Sequence, residues 1–274
     1  MKHWNIRLRI GVILLAFFMT LGFIVPLFYG GNVAQWNNYP RNMPISFEHF
    51  LGTNSLGQDI FWLLSNSIRN SFLIGLFVAT IATIAGVMIG LTAGLIGGTT
   101  DRIIMLITDT VIVVPSLPIL ILLSSLTRGG VSLVFIGVVL IFFNWPWPAR
   151  QVRSMGLTLR ERDYISTAKF SGEGVLAILV KEIFPFVKDW SFGNFINTIL
   201  VAIGAEAGLA VIGMSSNMNA TLGTMIYWAN QHQAMLAGRW VWIGAPVVSI
   251  SLIFIGLFLF MTGQQQYSAL RRGK

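Results

Sequence analysis

Long apolar segments alternate with shorter polar ones along the whole chain. Six segments are apolar over about the 20 residues that a helix needs to cross the hydrocarbon core of a bilayer. They cover residues 10–29, 72–97, 103–126, 131–148, 192–213 and 241–262. The regular alternation of a membrane β-barrel is absent from these segments. Because a helix satisfies its backbone polar groups internally, the pattern predicts an all-α integral membrane protein with six transmembrane helices.

Composition agrees with this prediction. Hydrophobic residues make up 55% of the 274 residues and charged residues 10%, whereas soluble domains carry about 25% charged residues. Cysteine is absent, which excludes disulfides, thiolate metal sites and a cysteine nucleophile. The first apolar run follows a basic flank, as in a signal peptide, but no small-x-small cleavage site follows it. We interpret it as a retained span, with cleavage as the alternative.

The distribution of Lys and Arg predicts the orientation. If both termini lie in the cytoplasm, 14 of these residues fall on the inside, Lys2 and Lys274 among them, and four on the outside, including Arg128. This asymmetry follows the positive-inside rule. It also accounts for the net charge of +8 without nucleic acid as a partner, since basic clusters beside spans set topology or meet anionic lipid.

Three features of the spans are candidates for packing or transport. Gly86, Gly90 and Gly94 recur every four residues, a spacing that lets another helix approach closely. Pro115 lies midway along the third span and predicts a bend, which could be a static kink or part of a translocation path. Intramembrane carboxylates are costly and are functional candidates by default.

Asp109 and Glu206 are the two acids of this kind, and a direct role in the path is open for both. The alternative is that each lies near a membrane face or pairs with Arg, Ser or Thr. No inverted repeat is evident, and the intramembrane charges are sparse for an ion-driven secondary transporter.

Catalytic and metal-binding patterns are missing from the sequence. It contains neither G-x-x-x-x-G-K-[ST] nor H-E-x-x-H, and its three histidines lie far apart. We therefore expect a non-enzymatic protein that binds no metal or cofactor of its own.

Residues 149–191, which we call the central segment, interrupt the apolar chain. "RDYISTAKF" predicts a short helix, "SG" a turn and "EGVLAILVKEIF" a second helix, which Pro185 is expected to close. The apolar run "GVLAILV" is too short to span a bilayer. We expect it to lie along the membrane or to pack on another protein.

The central segment resembles the loop signature of ABC importer permeases, E-A-A-x-x-x-G-x(9)-hydrophobic-x-hydrophobic-L-P. Gly172 matches the glycine, and Pro185 follows thirteen residues later with Ile183 at the expected spacing. Ala168 matches the second alanine, although "ST" precedes it where Glu and Ala are usual. Asp163 and Tyr164 begin the matching helix.

Four further stretches, in the same order, are similar to the C-type subunits of the dipeptide/oligopeptide/nickel group of these permeases. They are "FLGTNSLGQDIFWLLSNSIRNSF", "GGTTDRIIMLITDTVIVVPSLP", "RQVRSMGLTLRERDYISTAKFSG" and "EAGLAVIGM". The resemblance covers most of the chain. It implies the type I permease fold, with coupling helices between helices 4 and 5, in a bacterial or archaeal inner membrane.

This resemblance also implies partners and a division of labour. A second, homologous permease would complete the path, an extracytoplasmic solute-binding protein would deliver the cargo, and two ATP-binding subunits would bind ATP and Mg²⁺. The residues expected to couple to those subunits are Asp163, Tyr164, Ala168, Gly172, Ile183 and Pro185.

The resemblance implies import of oligopeptides or similarly sized solutes. Oligosaccharides are the alternative cargo, and an ion-driven transporter is the alternative mechanism. We divide the chain into a first span with an extracytoplasmic loop (1–71), a permease core (72–265) and a cytoplasmic tail (266–274).

Overall fold

The computed structural model describes residues 5–126, 131–215 and 219–272, without the side chains of Lys169 and of residues 269–272. Lys2, Arg128 and Lys274, which enter the charge count above, lie outside the described residues. Within those residues the chain forms helices, loops and two isolated β-bridges. The α-helices are α1 Ile6–Met19, α2 Ile60–Ile96, α3 Gly98–Val113, α4 Ser116–Ser125, α5 Leu133–Asn144, α6 Pro146–Leu159, α7 Asp163–Phe170, α8 Val175–Ala177, α9 Phe184–Val211, α10 Leu222–Gln231 and α11 Trp240–Arg272.

Five helical runs among the described residues are long and apolar enough to cross a membrane. They are Ile6–Phe28, Ile60–Ile96, Leu133–Leu159, Val175–Val211 and Trp240–Ser268. The pair α3–α4 passes the same test as one span with a bend of 68°. Counted with this bent pair, the candidate spans in the described part of the chain number six, as the hydropathy pattern predicts.

The bend between α3 and α4 lies at Pro115, where the sequence predicts it. Val114 leaves the helix for an extended conformation (φ −76°, ψ 119°), and Pro115 then caps the start of α4. A residue before proline is driven out of the helical region by a clash with the proline ring. The third span is therefore two helices that meet at a sharp angle.

Helix α2 is the central element and is longer than its predicted span. It begins at Ile60 because the Asp59 carboxylate accepts hydrogen bonds from the backbone N–H groups of Phe61 (2.9 Å) and Trp62 (3.2 Å), which is N-cap geometry. It packs against α5, α6 and α9. Residue 71, at which the sequence analysis divides the chain, lies inside α2, and α11 continues through residues 266–272.

The glycine stripe of α2 faces α6. A Cβ atom added to Gly86 would lie 2.5 Å from the backbone oxygen of Trp145, and one added to Gly94 would lie 2.8 Å from that of Arg153. At Gly90 the added atom would clash with the carbonyl oxygen of Ala149. The backbones of α2 and α6 are thus in direct contact along three turns, as small-residue stripes permit.

The loop that joins α1 to α2 folds back on itself next to the N-terminal end of α2. Asn54 accepts hydrogen bonds from the backbone N–H groups of Leu56 (2.9 Å) and Gln58 (3.0 Å). His49 Nδ1 lies 2.7 Å from the second carboxylate oxygen of Asp59. Arg239, just before α11, donates to Ser55. These contacts tie the loop both to the start of α2 and to the start of α11.

Candidate functional site

The central segment packs on a buried apolar cluster, which we call the base. Ile165 and Ala168 of α7 are buried in one cluster with Ile178, Leu179 and Ile183 of the following helix. This cluster continues into α2 and α6 through Val87, Leu91, Leu95 and Val152. The segment is therefore packed against two membrane-spanning helices, so that a force on it reaches them directly.

Gly172 makes the turn between the two helices of the segment. Its φ is +80°, a conformation that glycine adopts without strain. The backbone N–H of Glu173 donates to the carbonyl oxygen of Ala168 at 3.1 Å, which is the six-to-one hydrogen bond of a Schellman helix ending. The helix–turn–helix predicted from the sequence is present, with its corner at the predicted residue.

The prediction that Pro185 closes the second helix is wrong. The helical run continues without interruption from Val175 to Val211, and Pro185 occupies the first turn of α9. A π-helical stretch, Ile178–Ile183, comes directly before it. Proline lacks only the N–H that a first turn leaves unpaired, and the wider π-turn shifts the hydrogen-bond register ahead of it.

We expected the apolar run "GVLAILV" to lie along the membrane or to pack on another protein. The structure corrects this expectation in part. Ile178 and Leu179 are buried against the chain's own helices. Val175, Leu176 and Val180 are exposed. Only one face of the run is therefore free to meet a membrane or another protein.

The turn and its two flanks, residues 170–176, form an exposed tip. Phe170 is 92% exposed and Leu176 63% exposed. Between them lie Ser171, Gly172 and Glu173, all exposed. The tip thus presents an aromatic and an aliphatic side chain to its surroundings.

The residues expected to couple to an ATPase fall into two groups. Asp163, Gly172 and Pro185 are exposed, whereas Ala168 and Ile183 are buried in the base. Tyr164 is half-buried and its ring stacks on Phe186, with centroids 5.9 Å apart. The buried residues thus support the tip from within, and the exposed ones are accessible to a partner.

Two ion pairs join α3 to α6, next to the contact between α6 and the glycine stripe of α2. Arg153 donates to both carboxylate oxygens of Asp101, at 2.5 and 2.6 Å. Arg150 lies 3.2 Å from Asp109, and both of these side chains are about half exposed. Asp109 thus pairs with an Arg, which is the alternative that the sequence analysis set beside a role in the path. Contact of these accessible charges with hydrocarbon would be costly.

Glu206 is buried rather than exposed to a path. Its side chain is inaccessible, and one oxygen accepts a hydrogen bond from Thr221 at 2.9 Å. Ser215 lies at the longer distance of 3.5 Å. Thr221 in turn caps the start of α10 through Thr224. Glu206 therefore connects the end of α9 to α10, and the two intramembrane acids have separate partners.

Sequence reasoning missed several residues of this region. It did not select Phe170 or Leu176, although the turn at Gly172 and the three-to-four spacing of Ile165 and Ala168 leave Phe170 off the buried face. It counted Arg150 and Arg153 among the inside charges and included them in a stretch similar to the permease family, but assigned them no partner. Their partners in α3 lie more than forty residues away in the chain, so that no local pattern reveals the pairs.

Known proteins resemble this chain along most of its length. Residues 86–274 match the family model described as "Binding-protein-dependent transport system inner membrane component". The oligopeptide transport system permease protein OppC of Lactococcus lactis subsp. cremoris is 31% identical over 260 residues, which is 91% of this chain and 88% of that protein.

Two further relatives agree with this match. The OppC protein of Mycobacterium tuberculosis strain H37Rv is 32% identical over 77% of this chain and 72% of its own length. The dipeptide transport system permease protein DppC of Bacillus subtilis is 28% identical over 93% of this chain and 79% of its own length. The chain therefore belongs to the family of binding-protein-dependent inner-membrane transport components and is a non-catalytic, multi-pass permease subunit of an ABC importer.

Proposed function

We propose that this permease forms half of a translocation path for oligopeptides. The names of the three relatives above, all peptide permeases, support this choice of cargo. A second, homologous permease would form the other half, and an extracytoplasmic binding protein would deliver the peptide.

The exposed tip carries the mechanistic part of the proposal. An ATP-binding subunit would cover Phe170 and Leu176, and ATP and Mg²⁺ would bind within the two ATP-binding subunits. When these subunits close, the tip would move with them. The buried base would transmit this movement to α2 and α6, because a packed core moves as a unit and does not deform continuously.

The half-exposed pair of Asp109 and Arg150 supports a path on the α3–α6 side of the chain. Charges there would face a water-filled passage or the second permease, and not lipid. Their opposite signs would suit a peptide that carries both an ammonium and a carboxylate group. The bend at Pro115 lies in the same span as Asp109. It would let α4 move separately from α3.

The distribution of charges supports the orientation of this proposal. With the tip in the cytoplasm, both termini are cytoplasmic and the loop between α1 and α2 is extracytoplasmic. The ATP-binding subunits would then be on the side from which ATP is supplied.

The proposal is tested on the complete transporter, purified with its partner subunits and reconstituted with its binding protein. We expect ATP-dependent uptake of a tetrapeptide and no uptake of an oligosaccharide of similar mass. Phe170→Asp should reduce recovery of the ATP-binding subunits about tenfold, because a charge in a desolvated interface pocket costs more than one kcal/mol.

Phe47→Asp is the matched control. Phe47 is 98% exposed in the loop that precedes α2, away from the tip, and its substitution should leave recovery of the ATP-binding subunits unchanged. Equal recovery from both variants would contradict docking at the tip. Oligosaccharide uptake, or uptake driven by an ion gradient without ATP, would overturn the proposed cargo or mechanism.

A further inference from the structure

One arginine of α2 takes no part in the contacts described above. Arg69 lies in the third turn of the helix, about 14 Å from its start at Ile60 at 1.5 Å per residue. It therefore belongs to the candidate span Ile60–Ile96. An ionised side chain within a span is costly and is a functional candidate by default, so that the partner of this cation has to be identified.

Arg69 has no acidic partner in its own chain. The sequence contains ten Asp and Glu residues, all of them among the described residues, and none forms an ion pair with Arg69. Of its three guanidinium nitrogens only Nε is buried without a hydrogen bond. Protein atoms thus enclose the base of the guanidinium group, while its two terminal nitrogens are accessible to an acceptor from another molecule.

The side of α2 that carries Arg69 is only partly covered. Leu73 and Phe77 follow Arg69 at successive four-residue intervals, which places the three on one face. Leu73 is 48% exposed and Phe77 40% exposed. Both line a groove of about 210 Å³, together with Asn70 and two residues at the start of α5. Arg69 therefore lies at the N-terminal end of a face that the other helices of this chain leave partly open.

Asn70 adds a neutral acceptor to this end of the face. Its Nδ2 atom donates to the carbonyl oxygen of Ala220 at 2.7 Å and to Oδ1 of Asn66 at 3.2 Å. These bonds hold the amide group, whose own Oδ1 atom accepts no hydrogen bond in the part of the chain that the structure describes. Adjacent residues thus offer cationic donors and an acceptor, and the last residue of a peptide carries a carboxylate and an N–H group.

We infer that Arg69 binds the terminal carboxylate of the transported peptide at the extracytoplasmic end of the path. This inference rests on the cargo and the orientation proposed above. The two terminal nitrogens would donate to the two carboxylate oxygens, a paired geometry that arginine favours. Every oligopeptide with a free C-terminus carries this carboxylate whatever its side chains are. One fixed cation would therefore serve cargo of varied sequence.

The test compares uptake of a tetrapeptide with uptake of the same peptide whose C-terminus is a carboxamide. The complete transporter is reconstituted with its binding protein, and each peptide is present at a concentration that saturates that protein. Wild-type transporter should take up the free acid about tenfold faster than the amide, the effect of one charge-assisted hydrogen bond. Arg69→Gln should slow uptake of the free acid to the rate of the amide and leave uptake of the amide unchanged.

Two further variants define the site. Arg69→Lys should retain part of the preference for the free acid, because lysine keeps the charge but not the planar pair of donors. Arg41→Gln is the matched control. Arg41 is exposed in the loop before α2, where it donates to Asn37 at 2.7 Å, and its substitution should leave the ratio of the two uptake rates at the wild-type value.

The ratio of the two rates decides the outcome. Arg69→Gln with the wild-type ratio would overturn the inference, even if both rates fell together through poorer folding. Uptake of both peptides by the wild type without preference would also overturn it and leave the proposed cargo intact. Uptake of neither peptide would contradict the proposed cargo itself, and the Arg69 site with it.

A second measurement addresses an acidic partner on the second permease. The carboxylate of such a residue would pair with Arg69 in the assembled transporter. Recovery of the second permease with Arg69→Gln should equal that with the wild type. A tenfold lower recovery, with the preference for the free acid unchanged, would overturn the peptide site in favour of a subunit interface.

Discussion

Two glycines of the central segment lie two residues apart and have different conformations. Gly172 has φ +80°, whereas Gly174 has φ −67° and ψ 153° and caps the helix that follows. No atom lies within 4 Å of a Cβ added at either position. Only the backbone conformation therefore distinguishes a residue that must be glycine from one that need not be.

Replacement of Gly172 by valine should disrupt the turn and leave membrane insertion intact. A β-branched residue in the left-handed region costs about 1–3 kcal/mol, which corresponds to a loss of the correctly turned state of about five- to 150-fold. We expect recovery of the ATP-binding subunits to fall by a similar factor when the permease is purified from membranes.

Gly174→Val provides the comparison, because valine readily adopts the extended conformation found there. This variant should retain its ATP-binding subunits. Wild-type recovery and transport by Gly172→Val would refute the role of the turn.

At the scale of elements, the contact between α2 and α6 depends on the absence of side chains. The four-residue spacing of Gly86, Gly90 and Gly94 predicts that some helix approaches this face. It does not identify that helix, because α6 lies more than fifty residues beyond the glycine stripe in the chain. The ion pair between Asp101 and Arg153 then connects that span to α6 beside the same contact.

Gly90→Leu should separate α2 from α6 and lower the stability of the folded protein. The added side chain would meet the backbone of Ala149, which cannot move aside without displacing α6. Overpacking costs about 1–3 kcal/mol even where side chains can adjust. We expect a lower midpoint in thermal unfolding of the purified transporter.

Gly244→Leu serves as the control in α11, where no atom lies within 4 Å of an added Cβ. Its unfolding midpoint should match that of the wild type. A midpoint for Gly90→Leu as high as that of this control would mean that α2 and α6 are not in contact.

At the scale of the whole molecule, the proposed orientation separates the tip from the loop before α2 by the thickness of the membrane. Phe47 lies exposed in that loop, and Glu161 lies exposed in the central segment, just before α7. Since the chain contains no cysteine, one introduced thiol reports the position of each site.

A membrane-impermeant maleimide added to intact cells should label Phe47→Cys and not Glu161→Cys. After permeabilisation both variants should be labelled, while the cysteine-free parent remains unlabelled in either case. The opposite pattern in intact cells would reverse the orientation, and labelling of both variants there would indicate that the cells leak.

The number of spans, the bend at Pro115 and the turn at Gly172 could all be predicted from the sequence, because each depends on local properties: a run of apolar residues, a missing N–H or a missing Cβ. Pro185 shows the limit of such reasoning. Proline ends a helix in most contexts, but here a π-turn precedes it and the helix continues to Val211. After this π-turn Pro185 lies in the first turn of α9, where its missing N–H costs no hydrogen bond, and no local pattern shows that the turn forms there.

Hydropathy and charge alone determined that this protein lies in a membrane as a bundle of helices, because lipid leaves the backbone few alternatives. Only the tertiary structure decided which polar residues meet. It paired Asp109 with Arg150 and hydrogen-bonded Glu206 to Thr221. These contacts join residues from different helices or from separate turns of the chain, and packing of the helices, which no local pattern encodes, brings them together.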